Sequence, residues 1–115
     1  ALHGDDLSEA ARHMGSRIVH TTVADYVKRP RFKYHHPSRG NNYERMLDEI
    51  RAVAPGEGFI DYSTFLATLR EVGYDGAVAF EMCSPLRGGG SVENLDGYAQ
   101  RFVEVLNRWC GRPRA

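Results

Sequence analysis

Residues 56–82 read GEGFIDYSTFLATLREVGYDGAVAFEM, and this stretch decides the fold. A glycine-flanked turn leads to Asp61, where a helix begins. Phe65, Leu66, Leu69 and Val72 recur at helical spacing and predict its buried stripe. Gly73 is suited to cap the helix end, because glycine enters the left-handed region without a Cβ penalty. Tyr74-Asp75-Gly76 then turns the chain into a strand, Ala77–Met82. That strand is apolar except for Glu81, as expected of one covered on both faces. The unit is therefore turn, helix, turn, strand, with a carboxylate at the strand's far end.

The flanking sequence repeats this alternation. Upstream, Leu7, Ala10, Ala11 and Met14 predict a helix over residues 5–14, started by Asp5 or Asp6 and ended by Gly15. Arg17–Ala24 is rich in Ile, Val and Thr and predicts a strand. The polar stretch that follows, 26–42, holds Pro30 and Pro37 among basic and aromatic residues and reads as a long loop of the kind that is functional or disordered. Met46, Leu47 and Ile50 predict a helix over Tyr43–Val53, and 54–59 reads as a turn. Downstream, residues 84–90 form a loop, and Ser91 is the N-cap of a last helix. Leu95, Tyr98, Phe102, Val103, Val105, Leu106 and Trp109 give that helix a broad apolar face. Strands alternating with amphipathic helices imply an α/β fold with two parallel strands. Two strands cannot close a sheet, so the pattern reads as a quarter to a third of a (β/α) barrel.

Composition bounds the function. The chain has 115 residues, enough for one domain, with 42% hydrophobic and 26% charged residues. Fifteen basic and fifteen acidic residues cancel, which argues against nucleic acid or an anionic membrane as partner. No apolar run is long enough to span a bilayer, and the opening residues do not follow a signal-peptide pattern. The two cysteines, Cys83 and Cys110, lie outside zinc-ligand spacings and fit reduced thiols in a cytoplasmic protein. The chain opens without an initiator Met, inside a loop or helix entry, and we expect it to be a piece of something longer.

Several residues could carry chemistry. Glu81 ends an apolar strand before a glycine-rich loop, and in parallel α/β barrels the active site lies at the strands' C-terminal ends. A carboxylate there needs a metal, an acid/base role or an ion pair with Arg or Lys. His20 sits inside the other strand, where it is either a ligand or a hydrogen-bonded core residue. Asp25 ends that strand and either contacts substrate or caps the loop. Arg31, beside Lys28, Arg29 and Lys33, gives the long loop a basic character suited to a polar anionic substrate or simply to solvent. PLRGGGS, with Arg87, has the parts of an anion cradle or of a tight turn. Cys83 follows the strand and could line the site.

The 56–82 pattern resembles the sugar phosphate isomerases and epimerases of the xylose isomerase-like barrel superfamily. Gly56, Gly58, Asp61, Gly73, Tyr74, Asp75, Gly76 and Glu81 match, and CSPLRGGGSVENLDGYAQRF is similar to one branch. The resemblance covers nearly the whole chain, residues 1–115, from the sixth helix to the eighth helix of a (β/α)8 TIM barrel. It implies a divalent metal (Mn, Mg, Co or Zn) held by two Glu, one Asp and one His, and proton transfer next to a sugar carbonyl. Glu81 matches the last-strand glutamate, a metal ligand and acid/base group. The family's His-x-x-Asp form departs here: counting back from Asp25 gives Thr22, and His20 lies two residues deeper. Either His20 takes over the metal or this strand supplies no ligand. The other ligands would precede residue 1, so an oligomer or a missing barrel segment is expected to complete the site. Asp25, Arg31 and Arg87 are the expected sugar contacts. The alternatives are a non-catalytic fragment or subunit of such a barrel, an inositol-type dehydratase or lyase, and, against the charge balance, an endonuclease acting on abasic DNA.

Overall fold

A computed structural model describes residues 4–36, 38, 40, 42–83 and 85–111. Among these residues, three α-helices and six short strands follow in the order α1 (Leu7–Met14), β1 (Thr21–Val23), β2 (Asp25–Arg29), β3 (Phe32–Tyr34), β4 (Tyr43–Arg45), β5 (Glu49–Val53), α2 (Tyr62–Glu71), β6 (Val78–Phe80) and α3 (Val92–Trp109). The fold is mixed α/β. β1 and β6 pair in parallel, with Thr21 opposite Val78 and Val23 opposite Phe80. The other two sheets are antiparallel pairs, β2 with β5 and β3 with β4.

The helices start where side chains satisfy their free N–H groups. Asp6 accepts from Ser8 and Glu9, Asp61 from Thr64, and Ser91 from Asn94. The Thr64 hydroxyl and then its backbone N–H hold the Asp61 carboxyl below its usual range. Gly73 follows α2 at φ +78°, the left-handed conformation expected of a glycine there.

The core lies on one face of the parallel pair. Val23, Leu66, Leu69, Ala11 and Tyr62 are buried together, with Val78, Phe80, Phe102, Leu106 and Trp109 packed around them. The Tyr62 ring meets Trp109 at 4.9 Å and Phe80 meets Phe102 at 5.2 Å, both within the range of favourable aromatic contact. α2 thus packs on the strands between α1 and α3. The burial alternation of β1, buried Thr21 and Val23 around exposed Thr22, marks the opposite face as uncovered.

Three expectations need correction. Arg17–Ala24 is a strand only over Thr21–Val23, because Gly15–Arg17 continue α1 as a turn of 3₁₀ helix. Residues 26–42 are not simply a loop, since β2 and β3 lie within or across them. Tyr43–Val53 is not a helix but β4 and β5. Met46, Leu47 and Ile50 do have helical spacing. The edge of β2 decides otherwise: strand pairing gives its open N–H and C=O groups partners that a helix could not. Together these strands form one interrupted hairpin. Its ladder breaks at Pro30, which has no N–H to donate, and resumes where Met46 N–H donates to the Arg31 carbonyl.

The radius of gyration is 18.2 Å, against about 13 Å for a compact chain of this length. All residues of β3 and β4 are exposed, so the outer part of the hairpin stands away from the core.

Candidate functional site

The C-terminal ends of β1 and β6 organise the site. Residues paired in a parallel ladder share a face, so Thr22 and Ala79 point away from the helices. Glu81 lies two residues beyond Ala79. Its N–H donates to the Val23 carbonyl at 2.9 Å, so the ladder still runs at that point. Alternation therefore carries the Glu81 side chain to the uncovered face. It is exposed, and among the described residues its carboxylate has no hydrogen-bond or ion-pair partner.

His20 sits at the opposite end of the same face. By register it lies opposite Ala77, four residues from the level of Glu81, or about 13 Å along a strand. It too is exposed. The structure does not bring His20 and Glu81 together. Among the described residues, no group of three His, Cys, Asp or Glu could hold a metal ion. This chain's residues therefore do not by themselves fit the metal site that the resemblance implies.

Asp25 is 2% exposed, and its carboxylate faces the protein. One oxygen accepts from the N–H of Gly56 at 2.8 Å and of Gly58 at 2.9 Å, and the other accepts from Tyr26 N–H at 3.1 Å. The sequence left this residue either a substrate contact or a loop cap; the structure spends its lone pairs on the turn before α2. That turn needs glycine. A Cβ at Gly58 would lie 1.8 Å from the Asp25 carboxylate.

The next residue faces the strand ends. Tyr26 donates its hydroxyl to the Cys83 thiol at 3.0 Å. This hydrogen bond, then burial and the negative charge available at Cys83 and Glu81, push the phenol up to about 12. Tyr26 thus stays protonated beside Glu81. Both Tyr26 and Cys83 line a cleft of about 560 Å³ with Arg29, Ile50, Arg51, Met82 and Arg87.

The arginines divide differently from expectation. Arg87 does line the cleft, bonded to Glu57, which Arg101 also contacts at 3.2 Å. Tyr98 and then Glu57 keep its guanidinium charged. Arg31 is exposed at the break in the hairpin and does not line the cleft. It acts only from nearby: Arg51 chiefly, then Arg29 and Arg31, hold the Glu49 carboxyl below its usual range. The sequence reading missed Arg51 and gave Arg29 no separate role. The signal lay in the alternation of Glu49 and Arg51 with Ile50 and Ala52, which the helical spacing of Met46 and Ile50 masked.

The glycine loop is a closed turn. Asn94 donates its side-chain amide to the carbonyls of Arg87 and Gly89, and Gly89 N–H donates to Leu86. Gly88 and Gly89 take φ values of +91° and +86°.

No known protein family, no curated protein and no solved structure matches the chain. Its function has to be argued from the geometry.

Proposed function

We propose that this chain is the C-terminal part of a (β/α)8 barrel that isomerises or epimerises a sugar or sugar phosphate by moving a proton next to a carbonyl. One observation carries the reading: Glu81, free of partners among the described residues, stands at the C-terminal end of a parallel strand on the uncovered sheet face. That is where parallel barrels place their chemistry. An unpaired carboxylate at a strand end is suited to act as a general base. Tyr26, protonated beside it, can turn its hydroxyl proton from the Cys83 thiol to a sugar oxygen. The uncovered face and the expanded radius suit a body completed by further barrel strands, from a longer chain or from another subunit.

The divalent metal of the resemblance (Mn, Mg, Co or Zn) belongs to this reading only in the completed barrel, with Glu81 as this chain's ligand. His20 stands too far along the strand to join Glu81 on one ion. Asp25 holds the scaffold, so the sugar contacts pass to Tyr26 and the cleft arginines. Two free thiols support a cytoplasmic setting. Among the described residues, no helix is long and apolar enough to cross a membrane.

The test is proton exchange. Aldoses, ketoses and their phosphates would be incubated with the protein and Mn²⁺ in D₂O and followed by proton NMR. Loss of the signal next to the carbonyl, abolished in Glu81→Gln, is the expected result. No exchange with any sugar would overturn the catalytic reading and favour a non-catalytic subunit. Loss of water without exchange would favour the dehydratase.

A further inference from the structure

Glu57 sits in the turn before α2, and its backbone is pinned. Asp25 accepts from Gly56 N–H at 2.8 Å and from Gly58 N–H at 2.9 Å, and Glu57 N–H itself donates to the Ala54 carbonyl at 3.1 Å. Three consecutive N–H groups are tied down, which fixes the direction in which the Glu57 side chain leaves the turn. Its carboxylate uses both oxygens: one accepts from Arg87, and the other meets Arg101 at 3.2 Å. Arg101 also donates its Nε–H to the Pro55 carbonyl at 3.0 Å, so α3 holds turn and carboxylate together. Arg87 is built the other way. It precedes Gly88, Gly89 and Gly90 in an exposed loop, and its side chain is 70% exposed. An arginine left free there would sample many rotamers. Arg87 lines the cleft at the strand end and also a second hollow of about 580 Å³, shared with Glu57, Tyr98 and Arg101. Its side chain is the wall between the two. An ion pair this exposed adds little to stability, so what the Glu57 contact can set is direction. The guanidinium carries more N–H donors than Glu57 and Tyr98 consume, which leaves some for a ligand.

We propose that Glu57 is a positioning residue: anchored through its own backbone by Asp25, it holds Arg87 at the wall of the cleft, where Arg87 contacts the substrate. The grip of Asp25, at the root of the hairpin, thereby reaches the glycine loop on the other side of the cleft. The hold on Arg87 does not depend on what the substrate is. Its effect on turnover rests on the isomerase reading.

Two readouts test it, and the first needs no substrate. Trypsin cuts after Arg87 only when the side chain leaves Glu57 and enters the protease, so the rate of cutting follows the opening of that contact. Glu57→Gln should speed the appearance of fragment 1–87 several-fold by mass spectrometry. Glu57→Asp keeps the charge and should recover part of the protection. The cut after Arg17, whose guanidinium bonds the His13 and Met14 carbonyls, should keep its rate. The second readout is turnover of whichever aldose or ketose exchanges its proton in D₂O. Glu57→Gln should raise KM several-fold with kcat little changed, because a binding contact is lost and proton transfer is not, and Glu57→Asp should bring KM part of the way back. An unchanged cut at Arg87, equal acceleration at Arg17, or a fall in kcat at constant KM would each overturn the positioning role. Turnover of no sugar by the unsubstituted chain would overturn the isomerase reading alone and leave the trypsin rates to decide the role of Glu57.

Discussion

The molecule has two halves held together in opposite ways. In the helical half, the parallel pair buries Val23 completely beneath Leu66 and Leu69, so apolar area removed from water provides the stability. In the hairpin, residues 25–53, Phe32, Tyr34 and Tyr43 are each more than half exposed, and backbone pairing has little packing to support it. The junction is Ala24, between parallel β1 and antiparallel β2. Its N–H and C=O both meet the Tyr62 hydroxyl, at 3.1 and 2.7 Å. One residue later, Asp25 grips the turn before α2. The difference teaches that polar anchors at two successive residues fix the direction of an arm that hydrophobic packing does not hold.

The largest break should come from Asp25→Ala. It strands the Gly56 and Gly58 donors, which approach a charged acceptor, and should cost about 3 kcal/mol in urea unfolding. Gly58→Ala attacks the same contact from the other side, driving a methyl group into the carboxylate, and should cost about 1–3 kcal/mol. If both act through one clamp, the double substitution should cost clearly less than the sum. Additive losses would separate the turn from Asp25. Tyr62→Phe comes next, at about 1–2 kcal/mol, because Ala24 loses a donor and an acceptor at once. Its ring packing on Trp109 should survive, so near-ultraviolet circular dichroism should change little.

The same division explains what the sequence made legible. α2 and the parallel strands could be read because an apolar stripe packed on the core repeats at the period of its element, as in Leu66 and Leu69 or Val78 and Phe80, whereas α3 packs through Phe102, Leu106 and Trp109 and leaves Leu95 and Val103 of its expected face exposed. The hairpin could not be read, because its residues face solvent on much of their surface and carry no periodic burial to betray the element. Glu81 stood out because a lone charge interrupts an apolar run. Asp25 was recognised as special, either as a substrate contact or as a loop cap; a sequence shows a carboxylate at a strand end, not that two glycine N–H groups fold back onto it. Arg51 was hidden because the helical spacing of Met46 and Ile50 masked its alternation with Ile50 and Ala52, and because its partner strand β2 is distant along the chain.

The comparison also predicts where mutation is mild. Phe32→Ser and Tyr34→Ser remove large exposed rings from the outer hairpin. Each loses only a contact inside the outer hairpin, Phe32 with Arg45 and Tyr34 with Tyr43, and should change the unfolding free energy by about 1 kcal/mol or less. A loss as large as that of Tyr62→Phe would show that the hairpin is packed against something, a second copy of the chain included, and sedimentation of the two variants would identify that case.

The smallest effect on stability and the sharpest on chemistry should come from Cys83→Ala. Cys83 is exposed, so little packing is lost, but Tyr26 loses the hydrogen-bond partner that contributes most to its shift. The Tyr26 phenol, held at about 12, should fall back toward the ordinary value of 10. The sign follows from linkage: a phenol raised on folding stabilises the native state fully below pH 10, and that contribution disappears as pH rises toward 12. Phenolate absorbance would follow the titration, with a Tyr26→Phe variant to assign the late component. In the wild type that component should lag the exposed tyrosines, and in Cys83→Ala it should merge with them. A late component unaffected by Cys83→Ala but absent in Tyr26→Phe would assign the shift to burial and to the Glu81 charge. Tyr26 would then be tied to the strand-end carboxylate, and not to the thiol, as the hydrogen-bond donor at the mouth of the cleft.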